Sequence, residues 1–459
     1  MEKEEIVMQQ LINDISSFVW GPPTLILVVG TGIYLTLRLG FLQIRTLPYA
    51  LRLAFSPTRQ DKQSKGDISH YQALTTAMAA TIGTGNIVGV ATAVVAGGPG
   101  AVFWMWITAL FGMATKYAEA ILAVKYRVQN RKGEMSGGPM YYLEKGLHAK
   151  WLGVLFAIFG AIAAFGIGNM VQANSVSDAL QNSFSIPTWV TGIVLTLLAA
   201  VVILGGIKSI GKVTAFFVPI MALFYVIGGL IIIIMNLNIV PQAIELIFTD
   251  AFTASAVGGG ILGTVIRYGV ARGVFSNEAG LGSAPIAAAA AKTDYPGRQA
   301  LVSMTQVFID TIIVCSITGI TIVMADLSSS GLEGGPLTSA SFAAFLGDAG
   351  SYIVTIAIVL FAFSTIVGWS YYGEKCFAYL FNDRVVPIYR VLFVLAVMYG
   401  AIETLDLVWG ISDIMNALMA VPNLIGIIGL SGVVAYETKK FLKVAKEEKE
   451  QRKFGSTSS

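Results

Sequence analysis

Residues 80–90 read ATIGTGNIVGV, and residues 275–285 read FSNEAGLGSAP. Both stretches sit inside long apolar runs. Gly costs a helix interior roughly 1 kcal/mol against Ala, so each stretch predicts a break in a helix. A broken helix exposes two kinds of group. The half ending near Ile82 presents free carbonyls and a partial negative charge, which suit a hard cation. The half beginning near Ile87 presents free amides and a partial positive charge, which suit a carboxylate. Gly83 and Gly85 let the backbone approach a ligand closely, and Asn86 adds a carbonyl oxygen. Gly89, Ala93 and Gly97, spaced by four, read instead as a packing notch between helices.

The elements that carry these breaks follow from composition. The chain has 459 residues, of which 55% are hydrophobic and 12% charged. That is half the charge of an average soluble domain, about 25%, and it implies a polytopic all-α membrane protein. A β-barrel would alternate apolar and polar positions. With about 20 apolar residues per span, the approximate spans are 18–38, 70–98, 101–125, 151–180, 187–205, 213–235, 256–291, 299–325, 350–378, 386–402 and 409–436. These make about eleven transmembrane helices.

Basic residues sort the connections. Arg45, Arg52, Arg59, Lys62 and Lys65 follow the first span; Arg127, Arg131, Lys132, Lys145 and Lys150 follow the third. Lys208 and Lys212, Lys292 and Arg298, and Lys375 and Arg384 mark the fifth, seventh and ninth. The alternate connections hold no Lys or Arg. The positive-inside pattern therefore places the amino terminus outside and the carboxyl terminus in the cytoplasm of a multi-pass cell-membrane protein. The two interrupted spans lie five apart and start on opposite sides. That is a five-plus-five inverted repeat with one extra leading helix, and breaks at matching positions point to a midplane binding site. The expected divisions are 1–68 (leading helix and connection), 69–236 (first repeat), 237–436 (second repeat) and 437–459 (charged cytoplasmic tail). Two cysteines, Cys315 and Cys376, imply no disulfide framework, and no Cys/His metal spacing exists.

The longer stretches GTGNIVGVATAVVAGGPGAVFWMW, GMATKYAE, SGGPMYYLEKG, RGVFSNEAGLGSAPIAAAAA, FIDTIIVC and FAFSTIVGWSYYGEK resemble the alanine or glycine:cation symporter family, the sodium:alanine symporters. The resemblance runs from about residue 75 to 376. It implies a LeuT-type fold and Na⁺-coupled uptake of a small neutral amino acid, alanine or glycine, with H⁺ as coupling ion in some members. Carried over, it implies one cation position from the carbonyls of Ala79 and Ile82 with the hydroxyls of Ser364 and Thr365. A second would use Thr81 and Asn86 with Asn277. The amides of Gly83, Thr84 and Gly85 would hold the substrate carboxylate. Carbonyls near Phe275 and Ser276, the amide side chains of Asn169 and Gln172, and Glu278 are the candidates for its ammonium, with Trp369 and Phe165 capping the pocket.

Charged residues inside spans are functional or paired. Lys116 and Glu119 stand at i, i+3 and are expected to pair. Arg267, Arg272 and Asp310 read as a structural ion-pair network. No catalytic His, paired metal ligands or nucleophile arrangement stands out, so an enzyme is not expected. Beyond Na⁺ no cofactor is expected, and the partners are a small amino acid, Na⁺ and the lipid bilayer, with no nucleic acid; no oligomeric state follows. The alternatives are an uncoupled exchanger or permease of the same fold, an H⁺-coupled symporter, and a channel.

Overall fold

A computed structural model describes residues 2–56, 64–253, 263–403 and 406–455. Helices dominate it. α1 (Glu2–Val19) leads into α2 (Pro22–Arg38), which opens on two prolines whose missing N–H groups cost nothing in a first turn. The leading span is thus longer than expected, and α1 packs along the protein: the Ser16 hydroxyl donates to Asp413 Oδ2 at 2.8 Å. α3 (Leu42–Phe55) lies in the first basic connection.

The first interrupted span is α4 (His70–Thr81) followed by α5 (Val88–Gly97), bent by 60°. Ser69 and Gln72 cap the start of α4 with a reciprocal box. α6 (Ala101–Lys125) returns to the basic side, where a two-stranded hairpin pairs Val128–Gln129 (β1) with Met135–Ser136 (β2). After α7 (Pro139–Lys145), one continuous rod holds α8 (Lys150–Phe165), a π turn at Gly166–Met170, and α9 (Val171–Phe184). Then come α10 (Thr188–Ile203), α11 (Gly206–Met235) and α12 (Val240–Asp250).

The second interrupted span is α13 (Thr264–Asn277) and the short α14 (Pro285–Ala288); the expected beginning of this span, 256–262, lies outside the described residues. α15 (Pro296–Val307) and α16 (Ser316–Ala325) are joined by a π turn at Phe308–Cys315. α17 (Gly334–Leu346) precedes α18 (Asp348–Phe381), then α19 (Val386–Ile402), α20 (Asp406–Gly429) and α21 (Ser431–Gly455).

Eight described helices are long and apolar enough to cross a membrane, or nine with the bent pair as one span. Thr188–Ile203 is apolar but shorter. The last span ends at Gly429 rather than near 436, and the charged tail continues as α21. The tail is docked: Lys125 pairs with Glu437 at 2.6 Å and Arg298 with Glu448 at 2.5 Å. Helices α3, α7, α12 and α17 are too short for a span-length window, which is why the pattern of apolar runs does not reveal them.

The crossing that sets the site is α18 over α4. A Cβ on Gly368 would fall 2.6 Å from the Ala80 amide nitrogen, so only glycine lets the helices approach this closely. Overpacking of this kind costs about 1–3 kcal/mol. Gly368→Val is therefore expected to lower the melting temperature in detergent by several degrees, followed by tryptophan fluorescence. Gly30→Val, with nothing within 4 Å of its added Cβ, is expected to leave it unchanged.

Candidate functional site between two broken helices

At the first break the chain leaves the helix after Thr81, runs extended through Gly83 and makes one 3₁₀ turn over Thr84–Asn86. Asn86 caps it by accepting the Gly83 amide on Oδ1 at 2.9 Å. A Cβ on Gly83 would run into the Thr365 hydroxyl. That hydroxyl and its neighbour face the last carbonyls of α4. Ser364 Oγ stands 3.1 Å from Ala79 O and 3.3 Å from Ile82 O, and Thr365 Oγ1 stands 3.2 Å from Ala79 O. Each hydroxyl also reaches back to Phe361 O, at 2.8 and 3.0 Å, so its one proton is shared among carbonyls. Ala79, Ile82, Ser364 and Thr365 thus bring four neutral oxygens together at the negative end of a half-helix. This all-oxygen set fits a hard cation such as Na⁺.

At the second break Glu278 takes a left-handed conformation with φ 56°, and Gly280 and Gly282 follow with φ 92° and 85°. The helix bonds lost here are replaced by three neighbours, Glu119, Asn423 and Lys116. Glu119 Oε1 accepts the amides of Gly280 and Gly282, both at 3.1 Å, and the Asn423 side-chain amide at 2.7 Å. Asn423 also donates to Gly280 O at 2.8 Å and accepts a hydrogen bond from the Tyr142 hydroxyl. Lys116 donates to Glu278 O at 3.0 Å and pairs with Glu119 at 3.9 Å. The expected i, i+3 pair is present, and its task is to hold unwound backbone. The Glu278 carboxylate is fixed on both oxygens, by Trp369 Nε1 at 2.9 Å and the Ser283 hydroxyl at 2.5 Å.

Between the breaks lies a cavity of ≈ 20 Å³, room for about one water molecule. Gly83, Thr84, Gly85, Gln172, Phe275, Glu278 and Trp369 line it, with Thr81 and Thr365 from the cation candidates. Ala80, Ile167 and Asn416 line it too; sequence reasoning passed over them. Asn416 carried a signal, a carboxamide within the apolar run of the last span. Its Oδ1 and the Thr84 hydroxyl are buried and find no hydrogen-bond partner among the described residues. Gln172 Oε1 lies 3.4 Å from the Thr84 amide while its Nε2 donates to Ile167 O at 2.9 Å.

Other expected residues are turned elsewhere. Asn169 donates to Phe393 O at 2.6 Å. Asn277 donates to Thr311 Oγ1 at 3.2 Å and accepts the Ala279 amide at 2.9 Å. The Thr81 hydroxyl bonds back to Ala77 and Met78. The structure therefore does not bring Thr81, Asn86 and Asn277 into one shell. Phe165 packs on Tyr389 and Phe393. Ser276 and Asn86 instead meet at Asp310, through bonds of 3.0 and 2.7 Å, with the Thr311 hydroxyl at 2.8 Å. Asp310 is thus held by neutral donors rather than by Arg267 or Arg272. Arg272 lies over the Phe275 ring at 5.5 Å, and Arg267 donates to Ser17 O at 3.4 Å.

Two discontinuous helices, an oxygen-lined half-helix end and a central cavity define a transporter fold. The backbone matches that of MhsT, solved in complex with L-phenylalanine, with a TM-score of 0.60 over 82% of this chain and 93% of that one at 15% identity. This is the LeuT-type fold. The model of the sodium:alanine symporter family matches residues 4–455, and the chain belongs to that family. The sodium/alanine symporter AgcS of Methanococcus maripaludis is 61% identical over 446 residues, 95% of this chain and 98% of that protein. An uncharacterized transporter of Haemophilus influenzae is 54% identical over 443 residues, 95% of this chain and 96% of that protein.

The support of the second break is testable. Glu119→Ala would strip four hydrogen-bonding and ionic partners and leave Lys116 a buried, uncompensated charge, a loss of about 3–5 kcal/mol. Size-exclusion profiles are expected to show little folded protein. Asn423→Ala, which leaves the ion pair intact, is expected to cost about 1–3 kcal/mol and to yield a monodisperse but less heat-stable transporter.

Proposed function

We propose that the protein is a Na⁺-coupled symporter of alanine and similarly small amino acids such as glycine, working by alternating access across the cell membrane. The amino terminus is placed outside and the carboxyl terminus in the cytoplasm. The observation that carries this reading is the meeting of Ala79 and Ile82 carbonyls with the Ser364 and Thr365 hydroxyls, beside a small cavity edged by both breaks. Family membership supports it.

In the proposed bound state, Na⁺ sits among those four oxygens. The substrate carboxylate takes the Gly85 amide and replaces Gln172 Oε1, 3.4 Å away, at the Thr84 amide; the Gly83 amide is given to Asn86 at 2.9 Å. The ammonium faces Glu278 and the carbonyl oxygen of Asn416; the ≈ 20 Å³ cavity between Trp369 and Phe275 must widen to admit even alanine, which favours the smallest side chains. The repeats 69–236 and 237–436 each supply one break, so ordering the first break for Na⁺ orders it for the amino acid, and each ligand favours the other. The driving force is adequate. A tenfold Na⁺ gradient is worth about 1.4 kcal/mol and 100 mV about 2.3 kcal/mol per charge. Together they support several-hundredfold accumulation of a zwitterion per cation.

Uptake of labelled alanine into proteoliposomes is expected to require an inward Na⁺ gradient. Unchanged uptake after replacing Na⁺ by K⁺ at constant pH would sink Na⁺ coupling; a response to an imposed pH gradient in that experiment would point to H⁺ in its place. Within the Na⁺ reading, Ser364→Ala with Thr365→Ala is expected to raise the Na⁺ concentration for half-maximal uptake by about tenfold or more, the loss of two charge-assisted contacts of about 1 kcal/mol each. An uncoupled exchanger would show no such shift.

A further inference from the structure

Gln172 stands at the start of α9, directly after the π turn, and its side chain is buried. Its carboxamide is held firmly at one end and loosely at the other. Nε2 donates to Ile167 O, within the π turn, at 2.9 Å, an ordinary hydrogen-bond length. Oε1 lies 3.4 Å from the Thr84 amide, beyond the usual range. The same oxygen would lie 3.5 Å from a Cβ on Gly83, so it rests against the backbone of the first break. Chemistry fixes this orientation. Turned over, the carboxamide would set its NH₂ against an amide N–H and its oxygen against a carbonyl.

The firm end has little room to give. A Cβ on Gly168 would fall 2.4 Å from Trp369 Cβ, and one on Gly166 would run into the Ser412 side chain, so the π turn is packed directly on α18 and α20. A carboxamide tethered to that turn is presented to the Thr84 amide without being bonded tightly to it.

A buried amide without an acceptor costs free energy, so the Thr84 N–H needs a partner when no substrate is bound. A neutral oxygen at 3.4 Å is a weak one. A carboxylate oxygen makes a charge-assisted bond, shorter and about twice as strong, so the exchange favours the substrate. The Gly83 amide is different, because its 2.9 Å bond to Asn86 is part of the break itself. The Thr84 hydroxyl is buried and finds no partner among the described residues; it is a second neutral donor for an arriving carboxylate. An amine that lacks a carboxylate brings no acceptor and leaves Gln172 in place.

We propose that Gln172 is a tethered stand-in for the substrate carboxylate. It holds the Thr84 amide in the substrate-free site and yields it to a carboxylate. It thereby sets both the affinity for small amino acids and the rejection of amines without a carboxyl group. This rests on the symport reading above, which places the carboxylate at the first break.

Gln172→Ala and Gln172→Met both remove the competing oxygen, the second at similar volume. Each is expected to tighten Na⁺-dependent alanine binding by about two- to tenfold, the effect of one neutral hydrogen bond, read by isothermal titration. Gln172→Glu keeps the shape and sets a charged carboxylate permanently at the Thr84 amide, so alanine is expected to bind about tenfold more weakly or worse. The same variant is expected to accept ethylamine, which is alanine without its carboxyl group. The sign is a Na⁺-dependent rise in melting temperature with ethylamine that the wild type lacks. Weaker or unchanged alanine affinity in both neutral variants would make Gln172 a direct ligand or a packing group and overturn the stand-in. No gain of ethylamine binding in Gln172→Glu over wild type would overturn its assignment to the carboxylate. Wild-type protein that binds no alanine in Na⁺ would overturn the symport reading, and the stand-in with it.

Discussion

A bilayer interior offers no water to an unwound backbone, so every amide and carbonyl released by a helix break must find a partner inside the protein. Much of this structure answers that one demand. The second break stands because Glu119, Asn423 and Lys116 take up the groups of Glu278, Gly280 and Gly282. The first stands because Asn86 folds back on Gly83 and because Ser364 and Thr365 meet the carbonyls that α4 leaves open. Those partners come from α6, α18 and α20, so each break is bound to helices far from it in sequence. In the proposed cycle the ligands complete the same accounting: a cation satisfies carbonyls, and a carboxylate satisfies amides.

The breaks were legible because they are local. Gly, Asn, Thr and Ser clustered in an apolar run contradict the run, and both breaks fall where the residues predicted them. Ser364 and Thr365 were legible as adjacent hydroxyls in an apolar helix once a family resemblance said what they face. Their distances from Ala79 and Ile82 are a matter of packing that no spacing reveals. The Lys116–Glu119 pair was visible as a spacing, but the Gly280 and Gly282 amides that Glu119 holds were not. The side-chain amides of Asn169 and Gln172 show the limit most clearly. Three residues apart on a regular helix, they share a face. The π turn at Gly166–Met170 adds a residue to one turn and rotates them apart. Asn169 then faces Phe393 and Gln172 faces Thr84.

Charge was informative in sum but not singly. The alternation of basic and neutral connections gave a sidedness, yet it treated Arg127 as one count among many. Three of its four carbonyl contacts, with Ala289, Ala291 and Thr293, reach residues more than 160 positions away. Asp310 shows the converse. Its charge within a span suggested an ionic partner, and its neighbours turn out to be Asn86, Ser276 and Thr311. A buried carboxylate ringed by neutral donors keeps its place through hydrogen bonds, and those donors tie both broken helices to one residue.

α18 is 34 residues long and unbroken. Ser364 and Trp369 lie on it about 7.5 Å apart along the axis, at 1.5 Å per residue. Trp369 holds Glu278 of the second break, while Ser364 and Thr365 hold the first. A rigid rod cannot move one of these groups and leave the other behind. In the language of circuits, the proposed cycle would make α18 an AND gate: the ion would set one input, the amino acid the other, and the helix would report only their coincidence. In that cycle a leak of either alone would require bending a continuous 34-residue helix that touches both breaks.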